Sequence, residues 1–346
     1  MSAPRDVQVK PNTASSLAGL PISEPQFASS ARRSASGIRL FPEFRILLVV
    51  AVFWLAMWIY NPAFLSAATI NTVLLYLFGY AIMACGMTVL LVSGGFDLSV
   101  GSVSALAAMV AAVLMKEPSI HLAWPLAVVA GLAIGAGTGL FNGLIIAKIG
   151  INPFITTLGT MLLARGLTYI ISGGVGRSGF EAPFCWLGQG RVAGVQMPII
   201  VSLAWVAMMD VLLRKHRFFR QNYYIGSNER AAWLSGIAVS RVKLFNYALS
   251  GTLSALAGLL FTARLDSAIP NAGEGDELKV ITAVIVGGAS LSGGKGTVIG
   301  AFLGCLLLAT IRPAISFLNI GDHWEKAVVG GILLAAVMLD RLGRRR

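Results

Sequence analysis

The chain has 346 residues, 56% of them hydrophobic and only 12% charged, with a formal net charge of +12 and a mean hydropathy of +0.77. Soluble domains carry about a quarter charged residues, so the composition excludes an ordinary soluble protein and points to an integral membrane one. The positive charge does not mark a nucleic-acid binder, because it gathers in the two tails and in one loop between apolar runs, where membrane proteins place basic residues.

Residues 1–43 are rich in Ser, Pro and Ala without apolar periodicity and read as a disordered cytoplasmic tail. The first apolar run, 46–60, follows Arg45, as a signal peptide would. Its flank, Asn61-Pro62-Ala63-Phe64, offers no small-residue cleavage site and further apolar runs follow, so it reads as a retained first span. Hydropathy and polar or Gly/Pro breaks then divide residues 44–340 into a transmembrane domain of about ten helices: 43–60, 70–93, 99–115, 122–147, 153–173, 197–213, 243–264, 278–291, 297–318 and 324–340. The expected fold is therefore all-α and polytopic, closed by a basic C-terminus at 341–346.

Two junctions between these helices echo one another. Gly94-Gly95-Phe96-Asp97-Leu98-Ser99-Val100-Gly101 can be laid on Gly287-Gly288-Ala289-Ser290-Leu291-Ser292-Gly293-Gly294, giving a shared GGxxLSxG after a short apolar run. Paired glycine-broken segments in the two halves of a transporter point to its solute path, while tight helix packing is the plainer use of such glycines. Asp97 suits the start of the next helix, where negative charge is favoured, and a carboxylate at membrane depth also marks function. Arg165, toward the end of its span, either snorkels to the interface or faces a cavity. With Ser99, Asn142, Phe154, Thr156, Thr157 and Thr160, these residues are candidates for the path or for helix–helix hydrogen bonds.

The loop 174–196 and the acidic loop 265–277, with Asp266, Glu274, Asp276 and Glu277, are the longest on the outer side. The acids there are either solvated or dock a basic partner. The most polar stretch lies between them, at 214–243, with seven basic residues against Glu229 alone and a compact helical segment at Asn228–Ile237. With both termini and this stretch cytoplasmic, nineteen Lys and Arg lie inside and seven outside, which favours an even number of spans in that orientation.

Cys85, Cys185 and Cys305 lack CxxC spacing, and His121, His216 and His323 stand singly near helix ends, so neither a disulfide framework nor a metal site is expected. Gly287–Gly296 is not a phosphate loop, because Gly296 follows Lys295 where Ser or Thr would be needed. No catalytic motif is present, so the chain does not read as an enzyme. Proton-driven carriers bury several ionisable groups in their spans, and only Asp97 and Arg165 come close here. An external motor is the better expectation, with an ion-coupled secondary transporter as the alternative.

At 225–243, IGSNERAAWLSGIAVSRVK resembles the cytoplasmic EAA-type coupling segment of bacterial ABC-importer permeases, and more closely the ribose/xylose/arabinose/galactoside family. The blocks at 86–107, 142–166, 249–278 and 281–301 agree with that family in order, and the resemblance runs from about residue 46 to 340. It implies a bacterial inner-membrane permease, homo- or heterodimeric, passing a monosaccharide or related polyol. A periplasmic sugar-binding protein would deliver the solute, and an ATPase with tandem nucleotide-binding domains would hold the ATP and magnesium. By position it assigns Asn228, Glu229, Ala231, Ala232, Gly236 and Ile237 to ATPase coupling, with the two alanines letting the helix sit close to its partner and Gly236 ending it. Phe96 stands where the family more often has Ile and Ala289 where Thr is common, and the Ser-rich N-terminal tail is longer than usual.

Overall fold

The computed structural model describes residues 42–321 and 323–343, so the expected tail up to residue 41 and the last three arginines, 344–346, lie outside it. Thirteen α-helices make up most of the described chain: α1 Pro42–Tyr60, α2 Ala67–Val92, α3 Val100–Lys116, α4 Trp124–Leu144, α5 Pro153–Ser172, α6 Ala182–Gln189, α7 Met197–Lys215, α8 Arg217–Ser227, α9 Glu229–Leu234, α10 Val239–Leu265, α11 Asp276–Val286, α12 Val298–Phe317 and α13 Trp324–Gly343. A π-helical turn, Ile145–Ile149, extends α4. Among the described residues, strand structure is confined to two-residue pairs: β1 Arg177–Ser178 with β4 Ser267–Ala268, and β2 Arg191–Val192 with β3 Val195–Gln196.

A helix lies at each of the ten expected places, and among the described residues seven helices are long and apolar enough to cross a membrane. The expected span at 278–291 is corrected: α11 has 11 residues, about 16 Å at 1.5 Å per residue, roughly half a hydrocarbon core. Local chemistry sets the ends. The Ser66 hydroxyl caps α2 by accepting from Thr69 N, Asn152 with Pro153 starts α5, and Thr297 caps α12 by accepting from Gly300 N. α2 is the buried centre, with α7, α10, α11 and α12 packed around it. α4 and α10 meet almost backbone to backbone, because Gly135 and Gly139 on one lie against Gly251 and the Tyr247 carbonyl on the other. Small residues at such crossings give tight packing where lipid supplies no hydrophobic drive.

The two glycine-broken segments both follow a helix closed by a left-handed glycine. Gly94 donates to Leu91 O and Gly95 to Leu90 O; Gly288 donates to Ile285 O and Ala289 to Val284 O. The caps therefore pair Gly94 with Gly288, one residue away from the Gly94–Gly287 pairing that the echo suggests. The segments then diverge: 93–99 turns inward and leads directly into α3, whereas 287–297 runs longer and partly exposed before α12.

Candidate coupling surface and solute path

The polar stretch 214–243 folds into two short helices. α8 is amphipathic and buries Phe219, Asn222 and Ile225. α9 is closed at both ends. Asn228 Oδ1 accepts from Ala231 N at 2.9 Å, Gly236 N donates to Trp233 O, and Ile237 N donates to Ala232 O. The left-handed backbone at Gly236, with φ of 84°, completes a C-cap that a side chain would strain. The helix is thus shorter than the expected Asn228–Ile237, and those two residues flank it.

The side chains expected to face a partner divide. Ala232 is buried against Ile225, Val239 and Val242 of its own chain, with Ile237 beside them, so its small size serves internal packing. Glu229 pairs with Lys243 at 2.7 Å. Ala231 faces outward, beside two residues that the sequence reading missed: Trp233, 58% exposed, and Leu234, 69% exposed. The Arg230 guanidinium lies 5.1 Å from the Trp233 ring centroid. An exposed aromatic and aliphatic pair on a charged loop was the available clue, since such residues anchor interfaces.

Four of the candidate path residues, Asp97, Ser99, Asn142 and Thr160, join with Ser250 into a buried hydrogen-bond chain linking α3, α4, α5 and α10. Asp97 Oδ1 accepts from Ser99 N at 2.8 Å and from the Ser99 hydroxyl at 2.5 Å. Asn142 Nδ2 donates to Ser99 Oγ at 3.1 Å, and Thr160 donates to Asn142 Oδ1 at 2.6 Å. Ser250 Oγ lies 3.5 Å from Asp97 Oδ2. Thr156 and Thr157 bond back to carbonyls of Asn152 and Pro153. Phe154 is exposed and meets the Phe96 ring edge-on at 6.3 Å. Asp97 thus forms a turn just ahead of α3 instead of bonding into the helix's first turn.

None of these side chains lines the cavity that opens between α2, α3, α10 and the segment before α11. That cavity is walled by Tyr76, Phe78, Tyr80, Ser104, Phe261, Thr262, Ala272, Gly273 and Asp276, with a volume of about 70 Å³. It is smaller than the ~150 Å³ cavity that admits a benzene ring, so in this arrangement it is closed to a sugar. Arg165 is half-buried and donates from Nη1 to Pro270 O and Ala272 O, both at 2.8 Å, tying α5 to the segment that forms one wall. Of the four acids expected on the outer loop, either solvated or docking a partner, Glu274 is exposed. Asp266 accepts from Phe180 N; Asp276 is on the cavity wall; Glu277 is buried at the start of α11, where negative charge is favoured.

The expectation that only Asp97 and Arg165 are buried ionisable groups is also corrected. Asp210 in α7 is buried and pairs with Arg214 at 2.8 Å, and Lys279 bonds Glu325 at 2.7 Å between α11 and α13.

The glycines of the echoed motifs are packing and turning residues. A Cβ on Gly95 would meet Tyr247 Oη, one on Gly101 the Gly273 carbonyl and Glu277, and one on Gly287 the Gly300 carbonyl. Gly94, Gly288 and Gly294 adopt left-handed backbone. Beside them, Tyr223 of α8 donates to Gly296 O at 2.8 Å. Burial raises the Tyr223 hydroxyl above its usual pKa, so it remains a donor at neutral pH.

A family model described as "Branched-chain amino acid transport system / permease component" matches residues 69–337. The ribose import permease protein of Bacillus subtilis is 41% identical over 288 residues, covering 82% of this chain and 88% of that protein. The L-arabinose transport system permease protein of Escherichia coli is 39% identical over 303 residues, 88% and 92% of the two chains. The galactose/methyl galactoside import permease protein of Salmonella typhimurium is 37% identical over 313 residues, 86% and 91%. No solved structure matches.

Proposed function

The chain belongs to the family of transport-system permease components, and from that premise we propose that it is the membrane subunit of a binding-protein-dependent ABC importer for a monosaccharide. The family description mentions branched-chain amino acids, whereas the relatives at 37–41% identity are named for ribose, arabinose and galactosides; a pentose, hexose or related polyol is the solute class that fits. Two such permeases form the pore, a cytoplasmic ATPase with tandem nucleotide-binding domains supplies the energy, and a sugar-binding protein presents the solute on the opposite side of the bacterial inner membrane.

The observation that carries this reading is α9, a doubly capped helix between two spans that offers Trp233 and Leu234 to solvent. A carrier working alone has no need of such a surface. The ATPase receives these two side chains and Arg230, while Asn228, Gly236 and the Glu229–Lys243 pair hold the helix at a fixed angle. On the solute side, the cavity of Tyr76, Tyr80, Ser104 and Asp276 offers aromatic faces and hydrogen-bonding groups suited to a polyhydroxylated ring. The pairs Asp210–Arg214, with a buried carboxylate, and Lys279–Glu325, half-buried, are compatible with ion coupling, but the relatives favour the ATP-driven reading.

The test is uptake of labelled ribose, arabinose and galactose into proteoliposomes containing this chain, its ATPase and its binding protein. Uptake is expected to require ATP and to persist when a protonophore collapses ion gradients; uptake without the ATPase overturns the reading. The double replacement W233A/L234A is expected to lower ATPase co-purification at least tenfold, as removal of a central apolar anchor does, with the melting temperature of the permease unchanged.

A further inference from the structure

The end of α8 lies where both glycine-broken segments meet. Gly294 N donates to Val92 O at 2.8 Å, so the second segment is hydrogen-bonded directly to the last turn of α2, just ahead of the first. Gly226 of α8 sits on this bond. A Cβ there would overlap the Val92 carbonyl oxygen and lie 2.5 Å from Gly294 N, and a Cβ on Gly293 would lie 2.7 Å from Gly226 O. Three backbones therefore converge with no side chain between them. Tyr223, one residue short of a helical turn earlier, bonds Gly296 O. Asn222 Oδ1 accepts from Asn246 Nδ2 at 2.7 Å, and the same nitrogen lies 3.3 Å from Ser93 Oγ. α8 thus meets the first segment where Gly226 Cα lies beside Gly94 and, through Asn246 of α10, at Ser93, and it meets the second at Gly293, Gly294 and Gly296.

We propose that Gly226 is the positioning residue through which movement of the α8–α9 unit reaches both glycine-broken segments, so that the two halves of the permease respond to a single input. This rests on the ABC-importer reading and adds the route inside the membrane subunit. Backbone-to-backbone contact leaves no flexible side chain to absorb a displacement, so a shift of α8 is passed to the Gly294–Val92 bond. The buried amides supply a means of exchange: Asn222 Nδ2 and Asn246 Oδ1 have no protein partner among the described residues, so the pair holds a spare donor and a spare acceptor for a second arrangement. Substituting Gly226 wedges α8 away from the junction while leaving the exposed face of α9 intact.

The deciding quantity is sugar imported per ATP hydrolysed in proteoliposomes containing the complete transporter, a ratio independent of the fraction of protein that folds. The G226A variant is expected to bind the ATPase as the wild type does and to hydrolyse ATP, with sugar imported per ATP falling about tenfold. Gly137, whose added Cβ would meet nothing within 4 Å, serves as control: G137A is expected to keep the wild-type ratio. If G226A does not assemble, Y223F decides, since it removes one hydrogen bond to the second segment without adding bulk; its ratio is expected to fall about threefold. A wild-type ratio in G226A, or in Y223F where G226A cannot be made, overturns the proposal. Absence of ATP-driven uptake in the wild type would instead defeat the ABC-importer reading on which it rests.

Discussion

The segments 93–99 and 287–297 share a motif and a helix cap but serve different ends. In the first, Asp97, Leu98 and Ser99 are buried, and Asp97 anchors a hydrogen-bond chain reaching three other helices. In the second, Leu291, Ser292 and Lys295 are exposed, and the backbone of Gly293 and Gly294 rests on α8. One segment is fastened into the bundle and the other is held mainly by backbone contacts at its surface. Regions with few buried contacts open at low free energy, so a signal arriving through α8 displaces the second segment more readily than the first. The difference teaches that a repeated sequence motif can supply a firmly held half and a more readily moved one.

Replacements along the two segments test this contrast by size of effect. D97A is expected to cost about 2–4 kcal/mol of stability, because it removes the acceptor of the Ser99 amide and hydroxyl in a buried site; a large fall in apparent melting temperature in detergent checks it. N142A breaks the next link and is expected to cost about 1–2 kcal/mol by the same assay. S292A, on the exposed part of the second segment, is expected to stay within about 0.5 kcal/mol of the wild type. Equal losses for D97A and S292A would erase the distinction.

Away from both segments, Cys185 in α6 offers a pH test of the opposite end of the bundle. Burial first, and then its hydrogen bond to Asp266 at 3.3 Å, raises the thiol to about 11. Only the thiolate reacts, so maleimide labelling is expected to be slow at pH 8 and to accelerate as pH rises toward 11. D266N, which removes the charge favouring the thiol, is expected to speed labelling at pH 8 modestly.

Long apolar runs announced most of the helices, since crossing a bilayer demands length that composition alone reveals. The shorter elements were hidden for physical reasons. In Arg217–Ser227 the charges of Arg217 and Arg220 mask an inward face of Phe219, Asn222 and Ile225. The apolar run after Lys279 continues past the point where Gly288 closes α11, so a half-length helix read as a full span. Asp276 and Glu277 read as outward-facing loop acids, solvated or docking a partner, because nothing local tells that the segment folds inward under Arg165. The α9 caps were legible in Asn228 and Gly236, whereas the outward direction of Trp233 and inward direction of Ala232 depend on how α9 packs on α8 and α10. The junction at Gly226 needed three distant stretches brought together, which one glycine in Tyr224-Ile225-Gly226-Ser227 does not reveal.

Amide hydrogen exchange on the assembled transporter tests the division between a firmly held and a more readily moved segment most directly. Peptides covering 93–99, 217–227 and 287–297 would be followed in the nucleotide-free complex and in the complex trapped with ADP and vanadate. Protection is expected to change most in 217–227 and 287–297 together, and less in 93–99. An equal change in 93–99, or a change in 217–227 that leaves 287–297 as it was, would contradict it.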